Sequence, residues 1–306
     1  VSEKLTKIGG SPLKFLLKNN YPGKIYPVNP KYDNIHGLTC YSSLFDIEDE
    51  ISLAIIALPA KHVISALKNC AKKGVKSAVI FSSGFAEIGD EGKKLQDDIQ
   101  HIAQENDMLI CGPNSVGVIN VPKRMGATMS QILEQDVTEA PVALISQSGA
   151  YGTFIAALLQ NAGLGFNYFI SSGNESDLKF ADYINYLIDK DEVKVIAGYI
   201  EGINDGEGLK EAAVRAAEKK KPIVVVKVGR SEVGKKAASS HTGSLTGSDD
   251  VYETFFRQYG ILRVDNEEEL LDLLLLLHNE KYPQGRRVGV ISMSGGAGIQ
   301  IADECE

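Results

Sequence analysis

The sequence predicts an α/β protein built on parallel sheets with helices on both faces. Three observations carry this expectation. Short apolar runs alternate with helix-like periodicity along almost the whole chain. Each run is bounded by Pro, Gly, Ser or Asn. A strand–turn–helix motif recurs with the same internal spacing. Strand–helix alternation of this kind gives a parallel sheet, and such sheets bind ligands at the carboxyl ends of their strands.

The elements follow in order. Lys7-Ile-Gly9-Gly10 reads as the end of a strand–turn–helix unit whose strand is missing. Residues 25–28, 54–58, 78–81 and 108–111 read as buried strands. Val63, Leu67, Cys70 and Ala71 repeat at helical spacing, as do Leu95, Ile99, Ile102 and Ala103. Residues 121–140 break the rhythm, so a boundary is expected there. A second series then places strands at 142–145, 168–170, 195–200 and 223–228, and a closing helix at 267–278. A further strand at 287–293 leads into a helix start. The expected domains are 1–125, 140–282 and 286–306, the last incomplete. Val1 is not an initiator Met and Glu306 falls within a helical pattern, so a piece of a longer protein is expected.

With 306 residues the chain has room for two or three domains of roughly 100–200 residues. A net charge of −8 argues against a general nucleic-acid surface. The leucine cluster at 270–277 is interrupted by Asp272 and is far short of the roughly 20 residues of a membrane span. Cys40, Cys70, Cys111 and Cys305 form no C-x-x-C pair and read as thiols in a reducing compartment. A cytoplasmic location with no membrane contact is expected.

The recurring motif is S-x-S-G-x-x-G, at Ser146, Ser148, Gly149 and Gly152 and again at Ser292, Ser294, Gly295 and Gly298, with Gly296 inside the second copy. A small-residue turn between a strand and a helix offers unpaired N–H groups at the positive end of the helix dipole, which is an anion site. The motif also invites a serine-hydrolase reading at Ser148 or Ser294, but neither copy completes the G-x-S-x-G elbow. His36, His62, His101 and His278 suit surface or capping roles. His241 differs: it sits in a small-residue loop, Ala237-Ala-Ser-Ser-His241-Thr-Gly-Ser-Leu-Thr-Gly-Ser248, after a strand. A neutral imidazole there is a competent nucleophile near neutral pH. Glu201 ends a strand and so lies at the ligand edge of the second sheet, where a carboxylate can fix an imidazole tautomer. In the first domain, Lys31, Pro59, Ser82, Ser83, Gly84 and Asn114 converge on one sheet edge with room for a nucleotide-like ligand.

Taken in order, Lys7-Ile-Gly-Gly, Tyr26-Pro-Val-Asn29-Pro-Lys31, Cys111-Gly-Pro-Asn114-Ser, Ser146-Gln-Ser-Gly and the His241 loop resemble the nucleoside-diphosphate-forming acyl-CoA synthetases, relatives of the succinyl-CoA synthetase alpha subunit. The resemblance spans essentially the whole chain. It implies a Rossmann-like coenzyme-A-binding domain followed by flavodoxin-like domains of the succinyl-CoA synthetase type. It implies that Lys7, Gly9, Asn29, Lys31, Pro59, Ser82, Ser83, Gly84 and Asn114 hold coenzyme A. His241 would carry the phosphoryl group with Glu201 in support. Ser146, Ser148 and Gly149, with Ser294, Gly295 and Gly296, would face the phosphate. The implied reaction interconverts acyl-CoA, phosphate and ADP with a carboxylic acid, coenzyme A and ATP. ADP or ATP with Mg would sit on an ATP-grasp domain or beta subunit, which these residues do not resemble, and an oligomer is expected. The alternative is a coenzyme-A-sensing regulatory module. In that rival fold use the histidine is typically lost, so its retention favours catalysis.

Overall fold

The computed structural model describes residues 1–231, 233–234, 248–283 and 285–305. After an opening helix α1 (Ser11–Lys18) and a short hairpin of β1 (Asn34–Ile35) and β2 (Leu38–Thr39), the first sheet forms from β3 (Leu53–Ile56), β4 (Ser77–Ile80) and β5 (Leu109–Cys111). The three strands pair in parallel in that order. The crossovers are α2 (Ala60–Lys73) and α3 (Asp90–Asn106). Successive side chains of a strand face opposite ways. Ile56, Ala78, Ile80 and Ile110 therefore pack under Val63 and Leu67 of α2 and Ile99 and Ile102 of α3. Val79, Phe81 and Cys111 face the other way and join the core of the second unit.

The second sheet has seven strands. In chain order they are β6 (Gly117–Asn120), β7 (Met125–Thr128), β8 (Val142–Ser146), β9 (Tyr168–Ser171), β10 (Val195–Ile200), β11 (Ile223–Lys227) and β12 (Leu262–Val264). In space they run β12-β11-β10-β8-β9-β6-β7. The first five of that row are parallel, and β6 and β7 are added antiparallel at the edge. The intervening helices are α4 (Gly149–Asn161), α5 (Phe180–Ile188), α6 (Gly206–Glu218), α7 (Asp249–Tyr259) and α8 (Glu267–Leu277). The strands are apolar on both faces, as a sheet covered on both sides requires. Ala143, Ile145, Ile196 and Val225 meet α5 and α6, while Leu144, Phe169, Ala197 and Val224 meet α4 and α8.

Two expected strands do not form. Residues 25–28 make one bridge, Val28 to Tyr41. Pro27 has no N–H to donate, and only its carbonyl takes part, accepting from Tyr41 at 2.9 Å. Residues 287–293 form no strand and pair with none among the described residues, and residues 285–297 are all exposed. A lone strand cannot satisfy its own backbone groups, and among the described residues none pairs with it. The helix expected next does start, as α9 (Gly295–Glu304). The hairpin at 117–128 was not anticipated. It hydrogen-bonds to β9, so by sheet membership the passage between the two units falls at residues 112–116.

The two units are joined by core as well as by chain. Phe15 of α1 is buried with Ile119, Leu133 and Phe169 of the second unit. The first sheet's own helices, α2 and α3, pack on one of its faces. Its other face is covered by the second unit's apolar side chains.

Candidate active site

The carboxyl edge of the second sheet gathers the ionisable groups that burial makes costly. Among the described residues, Glu175, Glu201 and Lys227 are the buried acidic or basic side chains, at 3%, 6% and 1% exposure. Glu201 directly follows β10, and Lys227 ends β11, paired with Ile200. A buried charge needs a partner or a function.

The strand-to-helix turn after β8 is built by its own small residues. Ser148 is the N-cap of α4, and its Oγ accepts from the Tyr151 N–H at 3.4 Å. The Ser146 hydroxyl donates to the Ser148 carbonyl at 2.6 Å. Both hydroxyls thus take part in building the turn, Ser146 as donor and Ser148 as acceptor. A Cβ on Gly149 would sit 2.5 Å from Val116 Cγ1, and one on Gly152 would sit 2.5 Å from Ser146 Cβ. The second copy of the motif repeats the geometry. Ser292 donates to the Ser294 carbonyl at 3.0 Å, and Ser294 caps α9 through the Ala297 N–H. Ser294, Gly295 and Gly296 are exposed, however, and do not pack on the second sheet.

Helix starts carry a partial positive charge that acidic side chains in the first turn neutralise. α3, α5, α6, α7 and α8 each have Asp or Glu there. α1, α2, α4 and α9 have none. These four are the helices that begin at Gly10, Pro59, Ser148 and Ser294, the turns singled out from the sequence.

Gln147 joins the pieces. Its Oε1 accepts from the backbone N–H of Glu201 at 2.6 Å and of Gly202 at 3.0 Å. Its Nε2 donates to Glu175 Oε1 at 3.0 Å and to the Gly202 carbonyl at 2.8 Å. Glu175 also accepts from the Ser172 hydroxyl at 2.8 Å. Burial raises the Glu175 carboxyl above its usual range, against the pull of Ser172 and Gln147. Neither Gln147 nor Glu175 was singled out from the sequence, although one lies inside the S-Q-S-G motif and the other inside the polar segment 171–177.

Lys227 lies with its ammonium 4.3 Å from the Tyr252 ring centroid and donates to the Val228 carbonyl. Burial lowers its pKa to about 8, against the opposing pull of Asp249 and Glu201. The folded state thus disfavours the charged form. Between about 8 and the ordinary value of 10.5 the unfolded chain binds more protons than the folded one. The Lys227 contribution to stability should therefore rise with pH across that window and be lost as pH falls through it, while burial of Cys70, whose thiol is pushed up to about 11, works in the opposite direction. Urea unfolding of wild type and Lys227→Met at stepped pH checks this: the stability of wild type relative to the variant should climb across the window.

The first sheet presents its own carboxyl edge. Pro59 follows β3 and is the N-cap of α2. Ser82, Ser83 and Gly84 follow β4, and Asn114 follows β5. Ser82 donates to the Leu58 carbonyl, and the Asn114 N–H donates to the Ser82 carbonyl at 2.8 Å, which draws the three strand ends together. Gly9 approaches the same edge, since a Cβ there would lie 3.9 Å from Ala57 Cβ. Gly84 has φ +102, a conformation that lets backbone approach a ligand closely. Asn29 and Lys31 share a turn in which Asn29 Oδ1 accepts from the Lys31 N–H at 3.0 Å and Asn29 Nδ2 donates to the Val1 carbonyl at 2.7 Å. Lys7 and Lys31 are exposed.

A polar clasp closes the seam between the edges. Glu87 accepts from the Gly84 N–H at 2.6 Å and from Asn174 Nδ2 at 2.5 Å. Asn174 also contacts Gln96 and Asn114, at 3.0 and 3.2 Å. Burial pushes the Glu87 carboxyl up, but the Gly84 and Asn174 donors hold it below its usual range. His241, the nucleophile expected from the sequence, lies outside the described residues.

Known proteins match the two units separately and together. Residues 1–121 match a family described as CoA binding domain, and residues 139–277 match one described as succinyl-CoA ligase like flavodoxin domain. The fold and its two edges thus define a coenzyme-A-binding module joined to a succinyl-CoA-ligase-like module. Over 299 residues the chain is 41% identical to an ADP-forming acetate–CoA ligase of Methanocaldococcus jannaschii, covering 98% of this chain and 41% of that protein. It is 42% identical to the alpha subunit of ADP-forming acetate–CoA ligase I of Pyrococcus furiosus, covering 100% of this chain and 66% of that subunit. A solved dinucleotide-forming acetyl-coenzyme A synthetase 1 of Ca. Korarchaeum cryptofilum, in complex with phosphate and ADP, superimposes with a TM-score of 0.93 at 37% identity, covering 99% of this chain and 64% of that one. The chain belongs to the ADP-forming acyl-CoA synthetase family, and it spans less than two thirds of the length of these relatives.

Proposed function

We propose that this chain carries the coenzyme-A and phosphohistidine half of an ADP-forming acyl-CoA synthetase. The observation that carries the reading is the pair of carboxyl edges joined by the Glu87–Asn174 clasp, one edge holding the acid-free α4 start beside buried Glu201. Coenzyme A would lie along the first edge, held by Lys7, Gly9, Asn29, Lys31, Pro59, Ser82, Ser83, Gly84 and Asn114. The thioester would then reach the seam.

Phosphate bound at the α4 start attacks the thioester carbonyl. The C–S bond breaks, giving an acyl phosphate and the thiol of coenzyme A. An imidazole nitrogen of His241 next attacks phosphorus, releasing the carboxylate and forming phosphohistidine. Glu201 accepts the proton on the other ring nitrogen and orients the ring. The amides of the α4 start stabilise the phosphoryl oxygens, as preorganised donors do. The Ser294, Gly295 and Gly296 turn would serve the same group. ADP with Mg takes the phosphoryl group on an ATP-grasp domain, on the same chain or on a partner subunit. A cytoplasmic location and an oligomer accord with this division of labour. Acetate is the first acid to try, since both relatives are named for it.

The test is phosphorylation of His241. Wild type and His241→Ala are incubated with labelled phosphate and a panel of acyl-CoAs, then assayed for acid-labile, alkali-stable label. Label on wild type alone is the expected result, and its dependence on the acyl group gives the preference. Coenzyme A binding by calorimetry with no label, even after an ATP-grasp partner is added, would favour the regulatory-module reading.

A further inference from the structure

We infer that Gln147 is a positioning residue for the phosphoryl-transfer site, fixing Glu201 through its backbone and tying it to the loop that meets the coenzyme-A edge. The inference rests on the function proposed above and extends it to a residue that does not touch substrate.

A glutamine side chain has two N–H donors and an acceptor oxygen with two lone pairs. Gln147 uses all of them within the protein. Its oxygen holds two consecutive backbone amides, those of Glu201 and Gly202. β10 ends at Ile200, so these amides lie just past the last strand residue. One donor returns to Gly202, closing a ring around the turn. The other reaches Glu175 across the sheet edge.

Glu175 has left-handed backbone geometry, φ +54, in a loop fixed at both ends. Asn174 next to it is clasped to Glu87, which holds the Gly84 N–H of the first edge. Ser176 donates to the Gly112 carbonyl at 2.9 Å. A continuous path of hydrogen bonds, with one peptide link between Asn174 and Glu175, therefore runs from the Gly84 N–H through Glu87, Asn174, Glu175 and Gln147 to the Glu201 N–H. Spatial continuity alone does not establish coupling. What makes Gln147 the joint is that one neutral side chain supplies acceptor contacts to two adjacent amides together with donors to the Gly202 carbonyl and to a buried carboxylate, a combination for which a carboxamide has the full set of groups.

That constraint gives a test with a distinctive pH signature. Gln147→Glu keeps the shape but replaces the donor by a carboxylate facing Glu175. Two carboxylates at hydrogen-bond distance cannot both ionise cheaply, so such a pair shares a proton at low pH. The acceptor to the Glu201 and Gly202 amides is kept at any pH, and the shared proton restores the donor to Glu175, while the donor to the Gly202 carbonyl stays lost, so recovery is partial. Lys179 faces Glu175 through its carbonyl and charge, Cys111 and Tyr183 lie within its field, and Lys227 acts on Glu201.

The experiment measures labelled-phosphate transfer to His241 in wild type, Gln147→Ala and Gln147→Glu, each with its ATP-grasp partner present, as a ratio to wild type at each pH. Gln147→Ala should lower the rate constant about 10–100-fold at all pH values, the usual cost of losing an outer contact that orients a catalytic group. KM for acyl-CoA should change little. Gln147→Glu should be as slow as Gln147→Ala at about pH 8 and recover toward wild type as pH falls to about 6, as proton sharing sets in. A merely structural loss would give no such recovery. A flat ratio for Gln147→Glu, or a Gln147→Ala protein that matches wild type, overturns the inference while leaving the proposed function standing. A wild type that takes no label overturns both.

Discussion

Alanine at position 117 should cost the chain about 4 kcal/mol, taking a conformational cost and an overpacking cost of about 2 kcal/mol each. Gly117 has φ +103, and an added Cβ would sit 2.2 Å from the Ala127 carbonyl oxygen and 2.7 Å from Thr128 Cα. Both obstacles are backbone of the paired strand β7, so no side chain can swing away. Gly89 supplies the control. It has φ +105, is exposed, and has nothing within 4 Å of a built Cβ. Gly89→Ala therefore carries the conformational cost alone, about 1–3 kcal/mol. Thermal unfolding should show Gly117→Ala falling by roughly 10 °C and Gly89→Ala by clearly less. Equal losses in the two variants would show that the close approach to β7 contributes nothing.

Glu201→Ala should slow phosphorylation of His241 by about a hundredfold, the scale of a lost proton-handling group. Coenzyme A affinity should be kept, because its edge belongs to the other sheet. The Gln147 contact should survive the change, since it grips the backbone at 201 and not the side chain. Lys227 loses one carboxylate that favours its charged form, while Asp249 continues to favour it. Glu201→Gln should fall between wild type and alanine: it keeps an acceptor for the imidazole N–H but not the charge. A loss of rate that tracks a loss of Tm would instead assign Glu201 a purely structural part.

The parallel strands were legible because burial on both faces writes them as unbroken apolar runs. Val142–Ser146 and Val195–Ile200 are examples. The placing of Glu201 and of the Ser148 turn at one edge followed from strand direction alone. Gly117–Asn120 and Met125–Thr128 are hard to read from the sequence because each is only four residues long and carries a glycine, Gly117 and Gly126. Gln147 and Glu175 were beyond reach for another reason. Their meeting depends on β8 lying between β10 and β9, and strand order is not written in the periodicity of any one strand. Residues 287–293 show the converse: the apolar run is present, but a strand is a property of a pair.

The covering of the first sheet by a neighbour's core has a consequence for anyone who would treat the two halves as interchangeable parts. Val79, Phe81 and Cys111 are finished by side chains from beyond residue 140, and Phe15 is buried among residues of the other sheet. A cut at residue 121, where the match to the CoA-binding family ends, would carry β6 away from β7 and β9 and bare both sides of the join. The modules are thus not beads that recombination can restring at will. A graft of either onto a foreign partner has to bring the matching apolar face with it, and the seam, more than either ligand edge, limits which partners are acceptable.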